Sequence, residues 1–144
     1  MLKIAFIKRK IKLIHQDLER LKDISHFTFD EVAKDPMKSA ALERVLERIV
    51  TRAIDINRHI ISEMGSGTED VKSYYDTFLS LSLCKVYPKQ FGELIAPSSG
   101  LRNILVHEYD EIDPKQLYQS IGDAFKQYGK YCDYILKSIE KERG

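Results

Sequence analysis

The sequence predicts an all-α protein, an up-and-down bundle of about five helices, and three observations support this prediction. Gly (7) and Pro (4) are scarce among the 144 residues, and residues with good helix propensity are frequent. Apolar residues recur every three or four positions over long stretches, which is the period of an amphipathic helix. We find no convincing strand pattern. We therefore expect a single helical domain over residues 1–144.

The first helix is predicted over about residues 2–24, because its apolar positions form a heptad seam. The seam consists of Ile4, Ile7, Ile11, Ile14, Leu18 and Leu21. Such a seam packs within a bundle or against a partner chain. The first half of this helix is also basic, with Lys3, Lys8, Arg9, Lys10 and Lys12. A solvated face is the simpler interpretation of these charges, and a patch that guides RNA is the alternative.

A long helix is predicted from about Pro36 to Met64, after a connector with one helical turn at 30–33. Asp35 suits the N-cap and Pro36 the first helical position. Its buried stripe is predicted as Leu42, Val45, Leu46, Ile49, Ala53, Ile56, Ile60 and Met64. The Gly-Ser-Gly sequence at 65–67 should end this helix.

Four further helical segments are predicted in the second half of the chain. The first runs from about Thr68 to Lys85, and a short one runs from Pro88 to Ile95. Pro97 and the following Ser-Ser-Gly should break or kink the chain, and residues 101–109 should be helical again. Asp113 and Pro114, with Gln at 116, form a credible capping set for a last helix to about 141. Its inward positions are Leu117, Ile121, Phe125, Tyr128, Cys132, Ile135 and Ile139.

Composition and charge narrow the class of function. The formal net charge of +1 provides no global field that would draw RNA or an anionic membrane. No apolar run approaches membrane length and no signal-peptide core is present, so we expect a cytoplasmic location. Cys84 and Cys132 lack a CxxC partner and are expected to be buried reduced thiols. The histidines lack metal-ligand spacing, so no metal and no cofactor are expected.

The segment 102–109, Arg-Asn-Ile-Leu-Val-His-Glu-Tyr, offers the most reactive set of side chains in the chain. Arg102 can clamp a phosphate and offset charge in the transition state. His107 can take a proton from a ribose 2′-OH or give one to the leaving oxygen near neutral pH. Asn103 can orient the imidazole, and the hydroxyl of Tyr109 can accept a covalent group. On composition alone, ordinary polar residues on an amphipathic helix remain the simpler interpretation.

Helical geometry limits how these groups act together. At about 100° per residue, Asn103 and His107 share one stripe, whereas Arg102 and His107 diverge by about 140°. A straight helix would not easily aim both at one phosphate, although a kink after Gly100 or two copies facing across a dimer would help. If a helix begins at Ser98 or Ser99, its free N–H groups would favour a phosphate near Arg102.

The motif Arg102-x4-His107-x-Tyr109, preceded by Gly100 and followed by Asp113, resembles the R-x4-H-x-Y signature of the HepT-like family within the HEPN superfamily. The segments 41–56 and 74–81 are similar to the second and third helices of that family. The resemblance covers roughly residues 38–140. The Pro-Ser-Ser sequence at 97–99 and the Cys at 84 depart from the family pattern without touching the motif.

The resemblance implies a homodimer of HEPN-like helical domains, with the motif lining a cleft between subunits. It also implies a metal-independent RNA endonuclease that acts as the toxin of a toxin–antitoxin pair. Arg102 and His107 would be catalytic and Asn103 supporting. Tyr109 would accept AMP from an MntA-like minimal nucleotidyltransferase antitoxin, which would silence the toxin.

Two other functions are compatible with the sequence. One is a non-catalytic HEPN dimer that binds a nucleotide or a partner nucleotidyltransferase. The other is a purely structural helical partner that uses the heptad seam of the first helix as its contact face. The polar set at 102–109 disfavours the structural role, because an assembly helix would gain nothing from it.

Overall fold

The computed structural model describes residues 1–64, 71–107 and 113–143. Within these ranges the chain forms seven α-helices and no strand, which confirms the all-α fold. Five helices have ten residues or more, and two (α2 and α5) are short. The helices are α1 (Ile4–Ser25), α2 (Phe29–Lys34), α3 (Pro36–Met64), α4 (Tyr74–Leu83), α5 (Lys89–Ile95), α6 (Ser98–His107) and α7 (Pro114–Arg143).

The heptad seam of α1 packs inside the chain itself. Ile7, Ile11, Ile14 and Leu21 are fully or almost fully buried, and α1 lies against α3 and α7. Ile4 and Leu18 are partly buried at the edge of the same core. The seam therefore closes the bundle, and it offers no free apolar face to a structural partner.

The helix α3 spans Pro36–Met64, as the sequence predicts; the Gly-Ser-Gly sequence at 65–67, which was expected to end it, lies outside the described residues. The Asp35 carboxylate accepts the backbone N–H of Met37 at 2.9 Å, and Pro36 occupies the first helical position. The predicted stripe is buried from Leu42 to Ile60. Met64 is the exception, since its side chain is 36% exposed at the last residue of the helix.

A buried polar network joins α3, α4 and α7. The Asn57 amide donates to Thr77 Oγ1 at 3.1 Å and accepts the Tyr131 hydroxyl at 2.6 Å. That hydroxyl also contacts the Ala53 carbonyl at 3.0 Å. Each polar group of the network has a partner, so its burial is compensated. The sequence analysis did not identify this network.

The start of α4 differs from the prediction. Val71 and Lys72 are not helical, and α4 begins at Tyr74 with Ser73 as its N-cap. The Ser73 hydroxyl accepts the N–H of Asp76 at 3.1 Å, and the Asp76 carboxylate accepts the N–H of Lys72 at 3.3 Å. This reciprocal pair satisfies two N–H groups before the first turn. It therefore starts the helix later than the predicted residues 68–70, which lie outside the described residues.

Asp17 is a charged residue in the core that the sequence did not predict to be buried. It lies on the apolar face of α1 and has no exposed surface, although the seam analysis assigned that face to aliphatic residues. Its carboxylate pairs with Arg20 at 2.7 Å, with Arg48 at 2.9 Å and with Arg52. A buried carboxylate is tolerated because these charges surround it.

Two remaining predictions concern thiols and membranes. Cys84 and Cys132 are both free; Cys132 is buried as expected, whereas Cys84 is half-buried. In the parts of the chain that the structure describes, no helix combines the length and apolar character needed to cross a membrane.

Candidate functional site

The structure describes Arg102 in detail and places it on α6, where that helix packs on α3 and α4. Its side chain is half-buried. Arg102 Nε donates a hydrogen bond to Thr51 Oγ1 on α3 at 3.2 Å. Its guanidinium carbon lies 4.8 Å from the centroid of the Tyr74 ring at the start of α4. Two neighbouring helices therefore hold this guanidinium in place.

These two contacts restrict Arg102 in different ways. The hydrogen bond to Thr51 sets the direction of Nε, and the ring of Tyr74 stacks against the guanidinium through a cation–π contact. Among the described residues, the hydrogen bond of this guanidinium uses Nε. The N–H groups on its two terminal nitrogens have the fork geometry that suits a phosphate. An arginine held in this way loses less conformational entropy when it clamps an anion.

A cleft of about 480 Å³ lies beside this arginine. Tyr74 lines it together with the cationic side chains Arg58 and Lys72. Tyr74 thus contacts Arg102 and also forms part of the cleft wall. Two cationic side chains and a half-buried aromatic ring therefore lie next to the predicted site in the described part of the chain, a combination that suits a nucleic-acid strand.

The other predicted site residues are less completely described. Asn103 and His107 both lie on α6, and His107 is its last residue. Their side chains are outside the described part of the structure. Tyr109 lies outside the described residues altogether. The structure therefore places Arg102, Asn103 and His107 on one helix.

The start of α6 does not provide the anion site that the sequence suggested. The helix begins at Ser98, three residues before the predicted start at Leu101, and runs through Gly100 without a break. The N–H of Ser99 donates to the Ala96 carbonyl at 3.1 Å, and that of Gly100 donates to the Pro97 carbonyl at 3.0 Å. These N–H groups are already occupied because α6 follows α5 through a tight turn, so they are not offered to a phosphate.

A buried contact to α7 fixes the base of α6. The Ser98 hydroxyl donates to the Ile95 carbonyl at 2.7 Å and lies 2.6 Å from the Tyr128 hydroxyl. Because Ser98 has one hydroxyl proton, Tyr128 is the donor of the second bond. Burial raises the pKa of Tyr128 above its ordinary value, so the phenol keeps this proton. The predicted break at 97–100 is thus a rigid joint that sets the direction of α6.

Thr51 and Tyr74 are the positioning residues that sequence reasoning missed. Tyr74 is one of two adjacent tyrosines at the start of its helix, and neither it nor Thr51 has a distinguishing local signal. Thr51 and Arg102 are 51 residues apart in the sequence, so no helical periodicity links them. Within the described residues, no group of three or more His, Cys, Asp or Glu side chains is placed to hold a metal ion.

Comparisons with known proteins bear on the class of this site. A family model described as ribonuclease HepT-like matches residues 14–135. The tRNA nuclease HepT of Aphanizomenon flos-aquae (strain 2012/KM1/D3) is 38% identical over 143 residues, which are 96% of this chain and 95% of that protein. The mRNA nuclease HepT of Shewanella oneidensis is 30% identical over 133 residues, 92% of each chain.

Solved structures show the same fold. The tri-AMPylated HEPN toxin of Shewanella oneidensis, in complex with MNT antitoxin, superposes with a TM-score of 0.79 at 22% identity, covering 95% of this chain and 99% of that one. The cytosolic protein of unknown function YutE from Bacillus subtilis superposes with a TM-score of 0.82 at 19% identity, covering 98% and 93%.

Proposed function

Because this chain belongs to the ribonuclease HepT-like family, we propose that it is the RNA-cutting toxin of a toxin–antitoxin pair, with Arg102 and His107 at its cleavage site. Ribonuclease is the activity class of the family. Two relatives that align over more than nine-tenths of this chain are a tRNA nuclease and an mRNA nuclease, which supports RNA as the substrate. The cytoplasm is the proposed location, since both kinds of RNA are found there.

The observation that carries the proposal is the fixed position of Arg102. An arginine with only a structural role would be expected to pair with a carboxylate, as Arg48 and Arg52 pair with Asp17. Among the residues that the structure describes, the partners of Arg102 are instead a neutral hydroxyl and an aromatic ring. These partners orient the guanidinium without neutralising its charge, which suits a group that must bind an anionic substrate.

The proposed reaction is attack by a ribose 2′-OH on the adjacent phosphorus. His107 takes the 2′-OH proton or donates one to the leaving 5′-oxygen, and Arg102 stabilises the charge that develops on the phosphoryl oxygens. The 2′-oxygen–phosphorus bond forms as the bond to the 5′-oxygen breaks, giving a 2′,3′-cyclic phosphate and a 5′-hydroxyl. No step requires a metal ion, and DNA is excluded because it lacks the 2′-OH.

The site is proposed to be completed by a second copy of the chain. On one straight helix Arg102 and His107 diverge by about 140°, and α6 is continuous between them. A homodimer in which two α6 helices line a shared cleft would let an arginine and a histidine approach one phosphate. Asn103, which shares a helical stripe with His107, would support the imidazole.

The proposed partner is an MntA-like minimal nucleotidyltransferase that transfers AMP to Tyr109. The phenol oxygen would attack the α-phosphorus of ATP and release pyrophosphate. The added nucleotide would place bulk and negative charge two residues from His107 and block RNA entry. The structural neighbour described as a tri-AMPylated HEPN toxin with its antitoxin supports this part of the proposal.

The test of cleavage uses purified protein and labelled tRNA or mRNA in excess EDTA. We expect cutting that leaves 2′,3′-cyclic phosphate or 3′-phosphate ends. Arg102→Ala and His107→Ala should each abolish cutting while the helical circular-dichroism signal is unchanged. Cutting that survives both substitutions would refute the site, and an unmodified wild-type protein that never cuts would favour the non-catalytic binding dimer.

The test of silencing uses intact-protein mass after co-expression with the cognate nucleotidyltransferase. We expect the mass to increase by one or more AMP units and cutting to stop. Tyr109→Phe should prevent the increase and remain active as a nuclease. A Tyr109→Phe protein that still gains AMP would show that the acceptor is another residue.

A further inference from the structure

A second cationic cleft, of about 490 Å³, lies between the α4–α5 connection and the last turns of α7. Among the described residues that line it, four are lysines and none is acidic. All four lysines are exposed, so their ammonium groups are available to a ligand. They are Lys85, Lys89, Lys137 and Lys141. We call this feature the lysine cleft.

The charge of the lysine cleft is unusual for a chain whose formal net charge is only +1. Lys10, by comparison, lies beside the Asp55 carboxylate at 2.9 Å, with side chains that are 24% and 38% exposed. The ion pair described for the lysine cleft joins Lys89 to Glu93 at 3.8 Å, with side chains 83% and 56% exposed. An exposed pair of this kind contributes little. Four like charges therefore repel one another until a polyanion neutralises them.

The backbone at Lys85 provides an independent indication that this lysine has a function. Its φ is 64°, in the left-handed region where a helix usually ends on glycine. The N–H of Val86 donates to the Leu81 carbonyl at 3.0 Å, and that of Lys85 donates to the Ser82 carbonyl at 3.1 Å. A lysine in this conformation costs about 1 kcal/mol. The position retains a long cationic side chain where glycine would be more stable.

An aromatic cluster forms a rigid floor under the lysines. The Tyr87 hydroxyl donates to the Phe78 carbonyl at 2.6 Å, and its ring centroid lies 5.0 Å from that of Phe91. The ring of Tyr134 lies 5.0 Å from Phe91 and 5.8 Å from Tyr87. Because these rings are packed edge to face, the backbone segments that carry the lysines keep their spacing without a ligand.

The position of the lysine cleft relates it to the proposed cleavage site. Arg102 contacts Tyr74, the first residue of α4, whereas Lys85 follows the last residue, Leu83, by two positions. The ten residues of α4 span about 15 Å. We propose that the lysine cleft binds the phosphate backbone of the RNA substrate about 15 Å from the linkage held by Arg102. This inference rests on the proposed function and adds a second contact to it.

The test replaces the four lysines with glutamine (Lys85→Gln, Lys89→Gln, Lys137→Gln and Lys141→Gln). For an RNA of tRNA size we expect KM to rise about 10- to 100-fold at 0.1 M salt, because contacts to several phosphates are lost. Each lost phosphate contact should also make the plot of log affinity against log salt concentration shallower by about 0.7. A trinucleotide cannot reach from Arg102 to the lysine cleft, so its KM should stay within about twofold. The kcat for both substrates should be unchanged, because the reacting groups are intact.

A matched control removes the same charge elsewhere on the surface. Its four exposed lysines lie outside the lysine cleft: Lys22→Gln, Lys34→Gln, Lys115→Gln and Lys126→Gln. This control should change the KM for long RNA by less than about threefold, which is the effect of net charge alone. An equal loss in the control and in the cleft variant would overturn the proposal, and so would an equal rise in KM for long and short RNA.

A binding measurement separates this inference from the proposed function. Fluorescence anisotropy is measured with an RNA analogue whose sugars lack the 2′-OH, so that the ligand cannot be cut. The measurement therefore reports binding affinity whether or not the protein is a nuclease. A cleft variant that binds this RNA as tightly as wild type, with the same salt slope, would overturn the inference whether or not wild type is a nuclease. A variant that keeps its RNA affinity but no longer co-purifies with the nucleotidyltransferase would assign the lysine cleft to the protein partner and overturn it as well.

Discussion

Asp17 offers a sharp test of how this fold is stabilised, and the informative substitution is Asp17→Asn. The side chain has no exposed surface, and its two oxygens accept hydrogen bonds from Arg20, Arg48 and Arg52. Asparagine preserves the shape and one acceptor oxygen, so it creates no cavity. It removes the one negative charge that contacts these three guanidinium groups among the described residues.

The expected loss follows from the exposure of each partner. The Arg20 side chain is 55% exposed and would return to water, so its pair contributes about 0–1 kcal/mol. Arg48 and Arg52 are only 29% and 21% exposed, so they would remain poorly solvated and repel each other. Breaking a buried pair costs about 3–5 kcal/mol. The partial exposure of both arginines places our expectation near 3 kcal/mol, which lowers Tm by about 10 °C for a chain of this size.

The assay is thermal and urea unfolding followed by circular dichroism at 222 nm, with Asp55→Asn as the matched control. Asp55 pairs with Lys10 at 2.9 Å, and their side chains are 38% and 24% exposed. The control should therefore lose less than about 1 kcal/mol. If Asp17→Asn were no less stable than the control, the reasoning would be refuted, because the arginines would then be solvated without the carboxylate.

Three further predictions concern the site and the buried thiols. Thr51→Val keeps the side-chain volume but removes the acceptor for Arg102 Nε, a bond worth about 1.5–3 kcal/mol. We therefore expect kcat/KM for RNA to fall about 10- to 100-fold and Tm to fall by no more than about 10 °C; unchanged activity would contradict the positioning role. At pH 8, iodoacetamide should label the half-buried Cys84 but not Cys132 in the folded protein, since burial raises the pKa of Cys132 to about 12. Equal labelling of the two cysteines, measured by peptide mass mapping, would contradict this prediction. The pKa of Cys132 in the folded protein is higher than its ordinary value of 9.0. The protonated thiol therefore contributes fully to stability below pH 9, and this contribution is lost as the pH rises toward 12. The free energy of unfolding should fall by at most about 1.4 kcal/mol per pH unit over this range. Urea unfolding at pH 8, 9 and 10 should show this decline, and Cys132→Val should make it shallower; an equal slope in the two proteins would contradict the assignment.

The parts of the fold that the sequence predicted best are those with local signals. The start of α3 was predicted at Pro36 because the Asp-Pro cap acts within four residues, and its end at Met64 because Gly-Ser-Gly follows in the sequence. The start of α4 was wrong because the Ser73 cap competes with an equally plausible acidic start at 68–70. Its selection depends on a hydrogen bond from Lys72 to Asp76, which propensity does not reveal.

In the proposed site, too, the sequence predicted the features with local signals and did not predict the contacts between helices. The motif placed Arg102, Asn103 and His107 on one helix, and α6 contains all three. The partners of Arg102 could not be found this way, because Thr51 and Tyr74 come from two other helices. A threonine in the middle of an amphipathic helix has no distinguishing pattern until another helix is packed against it.

The sequence alone determined the helical segments, the apolar faces and the family motif. Helix period and capping depend on residues within a few positions of one another, so they can be read without the tertiary structure. The tertiary structure decides which polar side chains meet. Asp17 and Arg52 are 35 residues apart, and Thr51 and Arg102 are 51 apart. Such encounters depend on the register and angle at which whole helices pack, and those are set by the complementarity of their complete surfaces rather than by any short run of residues.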